Sequence, residues 1–451
     1  MQQRLGQQII LFPLPLQGHL NPMLQLANLL YSKGFSITIV HTEFNSPNPA
    51  NHPNFTFHAI ADGLKGSQAS TQDSVVLVSL LNINCFTPFH DWLSELLSSK
   101  ISDGESITCL ITDAIWHFAQ GVADRLNIPR LVLKTSSVSS FAGFAAIPLL
   151  LEKGYLPKRE SLLEEPVPEL PPLRVKDLPV IKTHDPEDFY GLMSSVERET
   201  NASAGIIWNT FEQLEETSLN KLRQEIGIPI FPVGPLHKFF TASSSRLLAQ
   251  DLSSISWLNQ QATNTVLYVS FGSLATITET EFLEIAWGLA NSKQPFLWVV
   301  RPGLVCNSEW LEPLPKGFLK MVGGRGKIIK WAPQQEVLAH PAIGGFWTHS
   351  GWNSTLESLC EGVPMICFPC IGDQMVNSRY VSHIWKVGVS LEKRLKREEI
   401  EREIRRVMVE NEGQEMRERI MYWKEKLNSC SRQGGSSYNY LESLAAYISS
   451  F

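Results

Sequence analysis

Short apolar runs alternate with amphipathic helical segments along most of the chain. In the first half, "QQIILFPLP", "FSITIVHT", "ITCLITD" and "IPRLVLKTS" are predicted strands, and "NPMLQLANLLYSKG" and "AIWHFAQGVADRLN" are predicted helices. In the second half, "TVLYVSFGS", "PFLWVVR", "KIIKWA", "IGGFWTHS" and "VPMICFP" are predicted strands, and "TETEFLEIAWGLANS" is a predicted helix. Strands that are apolar on both faces and alternate with helices indicate parallel sheets covered by helices on both sides. The sequence therefore predicts an α/β fold with doubly wound parallel sheets.

The two alternating blocks are separated by segments in which the pattern is weak. A chain of 451 residues is too long for a single core, and the serine-rich stretch "HKFFTASSSRLLAQDLSS" has the composition of a linker. We predict an N-terminal domain at 1–236, a linker at 237–256, a C-terminal domain at 257–432, and a final helix at 433–451 that packs back on the N-terminal domain. Ligands of such sheets bind at the carboxyl ends of the strands, so a cleft between two facing domains is the expected site.

Charge and composition narrow the classes of partner. The net charge of −6 argues against nucleic acid, and no run of 18 apolar residues predicts a membrane span. The start of the chain does not have the pattern of a signal peptide, and seven scattered cysteines are typical of a reducing compartment. A cytoplasmic protein that works as a monomer is expected.

Polar residues crowd the stretch "FWTHSGWNSTLESLCEG", residues 346–362, where a predicted strand meets a predicted helix. A helix N-terminus offers unpaired N–H groups and a partial positive charge, which together bind anions. His349, Asn353 and Ser354 could donate hydrogen bonds to a phosphate, and Glu357, one turn further on, could accept two sugar hydroxyls. The alternative is a helix cap beside a buried histidine.

Three other predicted strand ends carry groups that suit a nucleotide sugar. Trp331 could stack on a flat base whose edge is read by Gln334, and Ser273 lies in a turn of small residues. Asp373 and Gln374 form a pair that can bind adjacent hydroxyls of a sugar. The glycine patterns of the dinucleotide fold and of the P-loop are absent from the sequence.

Residues 331–374, "WAPQQEVLAHPAIGGFWTHSGWNSTLESLCEGVPMICFPCIGDQ", resemble the 44-residue signature box of plant family 1 UDP-dependent glycosyltransferases. The segments "PLQGHLNP" and "SKQPFLWVVRPG" extend the resemblance. It implies the GT-B fold, two Rossmann-like domains with the sugar donor held mainly by the second. Within the family the chain resembles the branch that acts on small hydroxylated acids, cytokinins or terpenoid glycosides. Residues 370–372 depart from the family pattern, because many relatives carry bulky aromatic residues there, and this affects the shape of the acceptor wall.

The resemblance implies a role for each matching residue of the box. Trp331 stacks on uracil, Gln334 helps to read it, and Glu357 takes the ribose hydroxyls. Asp373 and Gln374 grip the sugar, and Gln at the last box position is typical of glucose users. The diphosphate is held by five residues: Ser273, His349, Trp352 through its backbone, Asn353 and Ser354.

A transferase of this kind needs a base, because an alcohol is a weak nucleophile until its proton is removed. His19 lies in "PLQGHLNP", after the first predicted strand and just before a helix that is predicted to begin near residue 21. Asp113 ends the strand "ITCLITD" and matches the family's partner acid; its alternative role is to cap the next helix. Thr135 and Ser136, after "PRLVLK", are candidates for contact with the sugar.

The expected reaction is an inverting transfer of glucose from UDP-glucose to a small plant metabolite, without a metal ion or other cofactor. The resemblance implies an acceptor pocket built from residues 84–92, 116–117, 141–147 and 183–193, each of which could instead be core. Two other functions stay open on the sequence alone. One is a nucleotide-sugar epimerase, and the other is a UDP-sugar-binding protein without activity.

Overall fold

The computed structural model describes residues 7–69, 71, 73–103, 106–239, 249–306, 308, 310–391 and 395–451. The chain divides into two compact units. Unit 1 comprises Met1–Arg159, Ile181–Leu247 and Ser429–Phe451, and unit 2 comprises Glu160–Val180 and Leu248–Asn428. Over the described ranges, every helix is too short or too polar to span a membrane.

Unit 1 is built on a seven-stranded parallel sheet with the order β3-β2-β1-β4-β5-β6-β7. Its strands are β1 Gln7–Phe12, β2 Ser36–Thr42, β3 Thr56–Ile60, β4 Ser106–Asp113, β5 Arg130–Lys134, β6 Gly205–Trp208 and β7 Ile230–Pro232. The helices among them are α1 Gln17–Ser32, α2 Gly66–Ala69, α3 Ser74–Asp103, α4 Phe118–Leu126, α5 Val138–Ala145, α6 Ile147–Glu152, α7 Pro186–Asn201 and α8 Glu216–Glu225.

The strand order of unit 1 places three chain segments together. β1, β4 and β5 are neighbours, and all three run in the same direction, so their carboxyl ends lie at one edge of the sheet. The order changes direction between β1 and β4, which is where open α/β sheets bind ligands. The residues that follow β1, end β4 and follow β5 therefore meet at this edge.

Helix α1 begins earlier than the sequence predicts. Its first residue is Gln17 rather than a residue near Asn21, so His19 lies in the first helical turn and not in a loop. Pro22 lies inside the helix, where it lacks the N–H that would bond to the carbonyl of Gly18. The helix persists because one face is buried against the sheet, with Leu20, Met23, Leu26 and Leu30 in the core.

Unit 2 has a six-stranded parallel sheet with the order β10-β9-β8-β11-β12-β13. Its strands are β8 Val266–Ser270, β9 Phe296–Val299, β10 Gly326–Ile329, β11 Ile343–Thr348, β12 Met365–Cys367 and β13 Gly388–Ser390. Its helices are α9 Ser253–Leu258, α10 Glu279–Ser292, α11 Phe318–Val322, α12 Gln334–Leu338, α13 Trp352–Glu361, α14 Gln374–Arg379, α15 Arg397–Met408 and α16 Asn411–Cys430, whose last two residues reach unit 1.

The predicted domain division assigned residues 160–180 to the N-terminal domain, whereas in the structure they group with unit 2. Hydrogen bonds account for this. Arg379 Nε donates to the carbonyl of Pro172 at 3.1 Å, and the N–H of Gly372 donates to the carbonyl of Val180 at 3.2 Å. The predicted linker at 237–256 lies partly outside the described residues, which omit 240–248.

The last helix, α17 Ser436–Ile448, belongs to unit 1. Leu441, Leu444 and Ile448 are buried in the same core cluster as α1 and the sheet. Ser437 Oγ donates to the carbonyl of Gly234 at 2.6 Å, and Tyr447 Oη donates to the carbonyl of Ala204 at 2.8 Å. The amphipathic pattern of this segment is therefore used to cover one face of the sheet of unit 1.

Candidate active site

A histidine and an aspartate form a close pair at the ligand-binding edge of unit 1. His19 Nδ1 lies 2.7 Å from Asp113 Oδ2. The Asp113 side chain is 1% exposed and the His19 side chain is 27% exposed, so the carboxylate is shielded while part of the imidazole is accessible. When Nδ1 carries the proton and donates it to Asp113, the basic lone pair of the ring lies on Nε2, which can then accept a proton.

Asp113 is not the cap of the next helix, which was its alternative role. Helix α4 begins at Phe118, and the residue at its cap position is His117. The second carboxylate oxygen of Asp113 instead accepts from the N–H of Ile115 at 3.0 Å. Both oxygens are therefore engaged, which fixes the orientation of the carboxylate towards His19.

Thr135 lies beside this pair. Its Oγ1 is 3.1 Å from His19 Nδ1, so the residue predicted as a sugar contact is placed against the imidazole. Ser136 is partly exposed, and its carbonyl accepts from Trp208 Nε1 at 2.7 Å. The three segments that the strand order brings together thus contribute His19, Asp113 and Thr135 to one cluster.

Two buried basic residues of β5 interact electrostatically with Asp113, and neither was predicted from the sequence. Arg130 is 1% exposed and donates to Thr112 Oγ1 at 2.9 Å and to the carbonyl of Trp116 at 3.1 Å. Burial lowers the pKa of Lys134 to about 7, although the charge of Asp113 acts in the opposite direction. The signal in the sequence was two basic residues at the ends of an apolar strand, "RLVLK".

In unit 2, the turn from β11 to α13 holds His349 between two glycines. A Cβ on Gly272 would lie 2.6 Å from His349 Cε1, and a Cβ on Gly351 would lie 2.5 Å from His349 Nε2. Both positions therefore require glycine. Ser350, between His349 and Gly351, has a φ of 65°, which is uncommon for a residue with a side chain. Such strain is frequent where a backbone is shaped for a ligand.

The same turn is joined to the predicted sugar-binding pair. Asn377 is 1% exposed, and its Nδ2 donates to the carbonyl of Ser350 at 3.0 Å and to Asp373 Oδ2 at 3.0 Å. Gln374 Oε1 accepts from the backbone N–H groups of Cys370 at 2.8 Å and of residue 371 at 3.0 Å. This uses the carbonyl oxygen of Gln374 and leaves its Nε2 as the donor for a ligand.

The predicted base-reading and ribose-binding residues lie in one hydrogen-bond network. Gln334 Nε2 donates to Ser354 Oγ at 2.9 Å and to Glu357 Oε2 at 2.7 Å. Tyr268 Oη donates to Gln334 Oε1 at 3.2 Å, and Gln335 Nε2 donates to Glu357 Oε1 at 3.0 Å. Burial raises the pKa of Glu357, while the two glutamines favour its charged form. Tyr268 and Gln335 were not identified from the sequence.

Of the remaining candidate donor residues, Trp352 is buried and the other three are partly exposed. Trp331, the candidate for stacking on a base, is partly exposed. The Trp352 side chain is 3% exposed, so only its backbone is suited to contact a phosphate. Ser273 and Asn353 are partly exposed, the first in the turn after β8 and the second in the first turn of α13.

The chain is similar to known proteins along most of its length. The family described as UDP-glucoronosyl and UDP-glucosyl transferase matches residues 30–424. UDP-glycosyltransferase 76B1 of Arabidopsis thaliana is 52% identical over 443 residues, with 98% of each chain covered. UDP-glycosyltransferase 76G1 of Stevia rebaudiana is 50% identical over 454 residues, covering 99% of this chain and 98% of its own.

This chain belongs to the UDP-glycosyltransferase family. Phytolacca americana UGT2, solved with UDP-2fluoro-glucose and pterostilbene, is 28% identical with a TM-score of 0.81, covering 98% of this chain and 100% of its own. Medicago truncatula UGT71G1, solved with UDP-glucose, is 25% identical with a TM-score of 0.83 and 98% of each chain covered. The predicted GT-B fold and the predicted glycosyltransferase class are confirmed, and neither alternative function is favoured.

The predicted acceptor-pocket residues of the glycosyltransferase are only partly accessible. Trp116 and Phe89 are fully buried and stack on Phe12 with ring centroids 4.6 Å and 4.9 Å away, so they are core residues. A groove of about 360 Å³ in unit 1 is lined by Ser79, Asn82, Ile83, His117, Glu187, Asp188, Gly191, Leu192 and Ser195. Asn82 Nδ2 donates to the carbonyl of Ile115 at 3.1 Å, which connects this groove to the turn that orients Asp113.

The electrostatic state of His349 gives a testable prediction for the glycosyltransferase. Burial lowers the pKa of His349 to about 4, and the charge of Arg301 acts in the same direction. Because a lowered histidine pKa favours the neutral ring, His349 should be uncharged at every pH well above 4. The ring signals of His349 in a nuclear magnetic resonance titration, assigned with a His349→Gln variant, should not move between pH 8 and pH 5.5. A midpoint near the ordinary value of 6.5 would contradict this account.

Proposed function

We propose that this glycosyltransferase moves glucose from UDP-glucose to a hydroxyl or carboxyl group of a small plant metabolite, with inversion at the anomeric carbon. His19 is the general base and Asp113 is its partner. The observation that carries the proposal is the 2.7 Å pair between His19 Nδ1 and the buried Asp113 carboxylate. Such a pair is the arrangement that activates a weak oxygen nucleophile.

The proposed step is a single displacement in which each group has one task. The acceptor oxygen attacks the anomeric carbon while His19 Nε2 takes its proton. The bond between that carbon and the diphosphate oxygen breaks, and UDP leaves from the opposite face with the bonding electrons. An α-linked donor therefore gives a β-linked product. Asp113 stabilises the imidazolium that forms, and Thr135, 3.1 Å from His19 Nδ1, helps to hold the ring in place.

The donor is proposed to bind to unit 2. Trp331 stacks on uracil, Glu357 takes the ribose hydroxyls, and the diphosphate lies at the N-terminus of α13. Backbone N–H groups there, together with Asn353 and an N–H of His349, stabilise the negative charge that develops on UDP. Gln334 is held by three partners, so reading uracil requires it to exchange one of these bonds. We propose that the reaction needs no metal ion.

Glucose is the proposed sugar. Gln374 and Asp373 are in place as an amide donor and a carboxylate acceptor, a pairing suited to neighbouring sugar hydroxyls. Medicago truncatula UGT71G1 was solved with UDP-glucose, and Phytolacca americana UGT2 with UDP-2fluoro-glucose. The described cysteines are all free thiols, which supports action in the cytosol, and we propose a monomer.

The proposed acceptors are small hydroxy acids, phenolic acids, cytokinins and terpenoid glycosides. The experiment that tests the function is an incubation of the purified enzyme with UDP-glucose and a panel of these four classes, analysed by mass spectrometry. A gain of one hexose on the acceptor, together with release of UDP, is expected. Isomerisation of the sugar on the donor, or donor binding without product across the whole panel, would refute the proposal.

Replacing His19 tests the base. We expect His19→Ala to lower turnover by about 10²-fold or more, because general base catalysis contributes about 10²–10⁴. Because the donor is proposed to bind to unit 2, the affinity for UDP-glucose, measured by calorimetry, should stay close to that of the wild type. Turnover equal to that of the wild type would remove His19 from its role.

Replacing Asp113 separates catalysis from folding. Asp113→Asn keeps the shape of the side chain but removes the charge that stabilises the imidazolium, so turnover should fall while donor affinity does not. An equal loss of turnover and of donor affinity would indicate a structural role only.

A further inference from the structure

Arg301 is a buried cation without a carboxylate partner among the residues that the structure describes. It follows β9 and is 9% exposed. All of its hydrogen bonds go to backbone carbonyl oxygens: Nε donates to Gly272 at 3.1 Å, Nη1 to Pro302 at 3.1 Å, and Nη2 to Ala275. A buried charge is costly unless an opposite charge balances it, so the position of Arg301 points to an anion that the protein binds.

The guanidinium is connected to the proposed diphosphate site through one peptide. Gly272, which accepts from Arg301 Nε, is in contact with His349, since a Cβ at Gly272 would lie 2.6 Å from the imidazole. The peptide between Gly272 and Ser273 is trans, so its C=O and N–H point in opposite directions. The bond from Arg301 to this carbonyl therefore directs the N–H of Ser273 away from the guanidinium. It also polarises the amide and strengthens that N–H as a donor.

The other named side chains of this site do not supply a positive charge. Burial keeps His349 neutral, with a pKa of about 4. Glu357 and Asp373 are carboxylates, which would repel a diphosphate. Arg301 stays protonated although burial lowers its pKa, because the guanidinium is charged over the whole physiological range. It is therefore the cation that acts on the turn formed by Gly272 and Ser273.

We propose that Arg301 is a positioning residue for the donor diphosphate, acting in two ways. It provides the positive potential that balances the diphosphate, and it holds the Gly272–Ser273 peptide with the N–H of Ser273 turned towards the phosphate oxygens. This inference rests on the proposed donor site in unit 2. It adds a residue that contacts neither the sugar nor the uracil. Arg301 acts only by attracting the charge of the diphosphate and by orienting the Gly272–Ser273 peptide.

The test compares ligands that differ only in their number of phosphates. Binding of uridine, UMP and UDP is measured by calorimetry for the wild type, Arg301→Met and Arg301→Lys. We expect Arg301→Met to lower the affinity for UDP by roughly tenfold or more, which is the usual effect of losing one charged interaction. The affinity for uridine should fall by less than about twofold. UMP should lie between them. Arg301→Lys keeps a charge but cannot form the same fork of hydrogen bonds, so UDP should be weakened less than by Arg301→Met.

A matched control is available in the same unit. Arg417 is partly buried, burial also lowers its pKa, and its Nη2 donates to the carbonyl of Gly344 at 3.4 Å. Arg417→Met should leave the binding of all three ligands unchanged. If Arg301→Met does not fold, the Arg301→Lys variant decides the question instead. The quantity compared is then its loss of affinity for UDP relative to its loss of affinity for uridine.

The outcomes separate this inference from the proposed function. Wild-type protein that binds neither UDP nor UDP-glucose would refute the proposed function. Wild-type binding of UDP, with the same affinity in Arg301→Met, would refute the role of Arg301 and leave the proposed function standing. Equal weakening of uridine and UDP by the variants that fold would show that Arg301 only supports the structure and would also overturn the inference.

Discussion

The chemistry proposed for unit 1 depends on one interaction, the pairing of His19 with Asp113. It exists because β1, β4 and β5 are adjacent and parallel, so that residues far apart in the sequence reach the same sheet edge. A carboxylate that is 1% exposed loses most of its hydration, and it is stable there only because every oxygen is used. The imidazole and the N–H of Ile115 provide those partners, and this makes the geometry rigid.

In unit 2 the proposed ligand is negatively charged, and the turn proposed to bind it is also held by close packing and hydrogen bonds. The donor site proposed there must attract a diphosphate although two of its residues, Glu357 and Asp373, are carboxylates. Glycine at 272 and 351 lets the imidazole of His349 fit closely between two backbone segments, and Ser350 adopts a left-handed conformation to complete the turn. Asn377 then ties this turn to Asp373, so that the groups proposed for the phosphate and for the sugar are held by one buried amide. The proposed donor site is therefore preorganised by hydrogen bonds that form without the ligand.

The fold could be predicted from the sequence because it depends on local patterns, and the candidate donor residues were predicted from a local motif. The alternation of apolar strands and amphipathic helices predicted the two sheets. A long ordered motif predicted the family and the candidate donor residues between Trp331 and Gln374. The start of α1 was wrong because Pro22 was taken as a marker of the first turn, whereas burial of one helix face outweighed the lost hydrogen bond. Trp116 was considered for the acceptor pocket but is core, since hydrophobicity alone does not distinguish the two environments.

The residues that the sequence did not reveal share one property: their roles depend on partners distant in the chain. Arg301 bonds to Gly272, 29 positions earlier, and Arg130 bonds to Thr112, 18 positions earlier, so neither role is visible as a local pattern. Burial changes the chemistry of such groups, as the pKa of about 7 for Lys134 illustrates.

The proposed reaction separates charge, since the base becomes positive as UDP gains negative charge. Each unit contains a buried charge opposite in sign to the charge that the proposed reaction develops there: Asp113 beside the imidazole in unit 1, and Arg301 behind the turn proposed to bind phosphate in unit 2. Fixed charges of this kind need no reorganisation during the reaction, so they stabilise the transition state more than they stabilise the neutral acceptor.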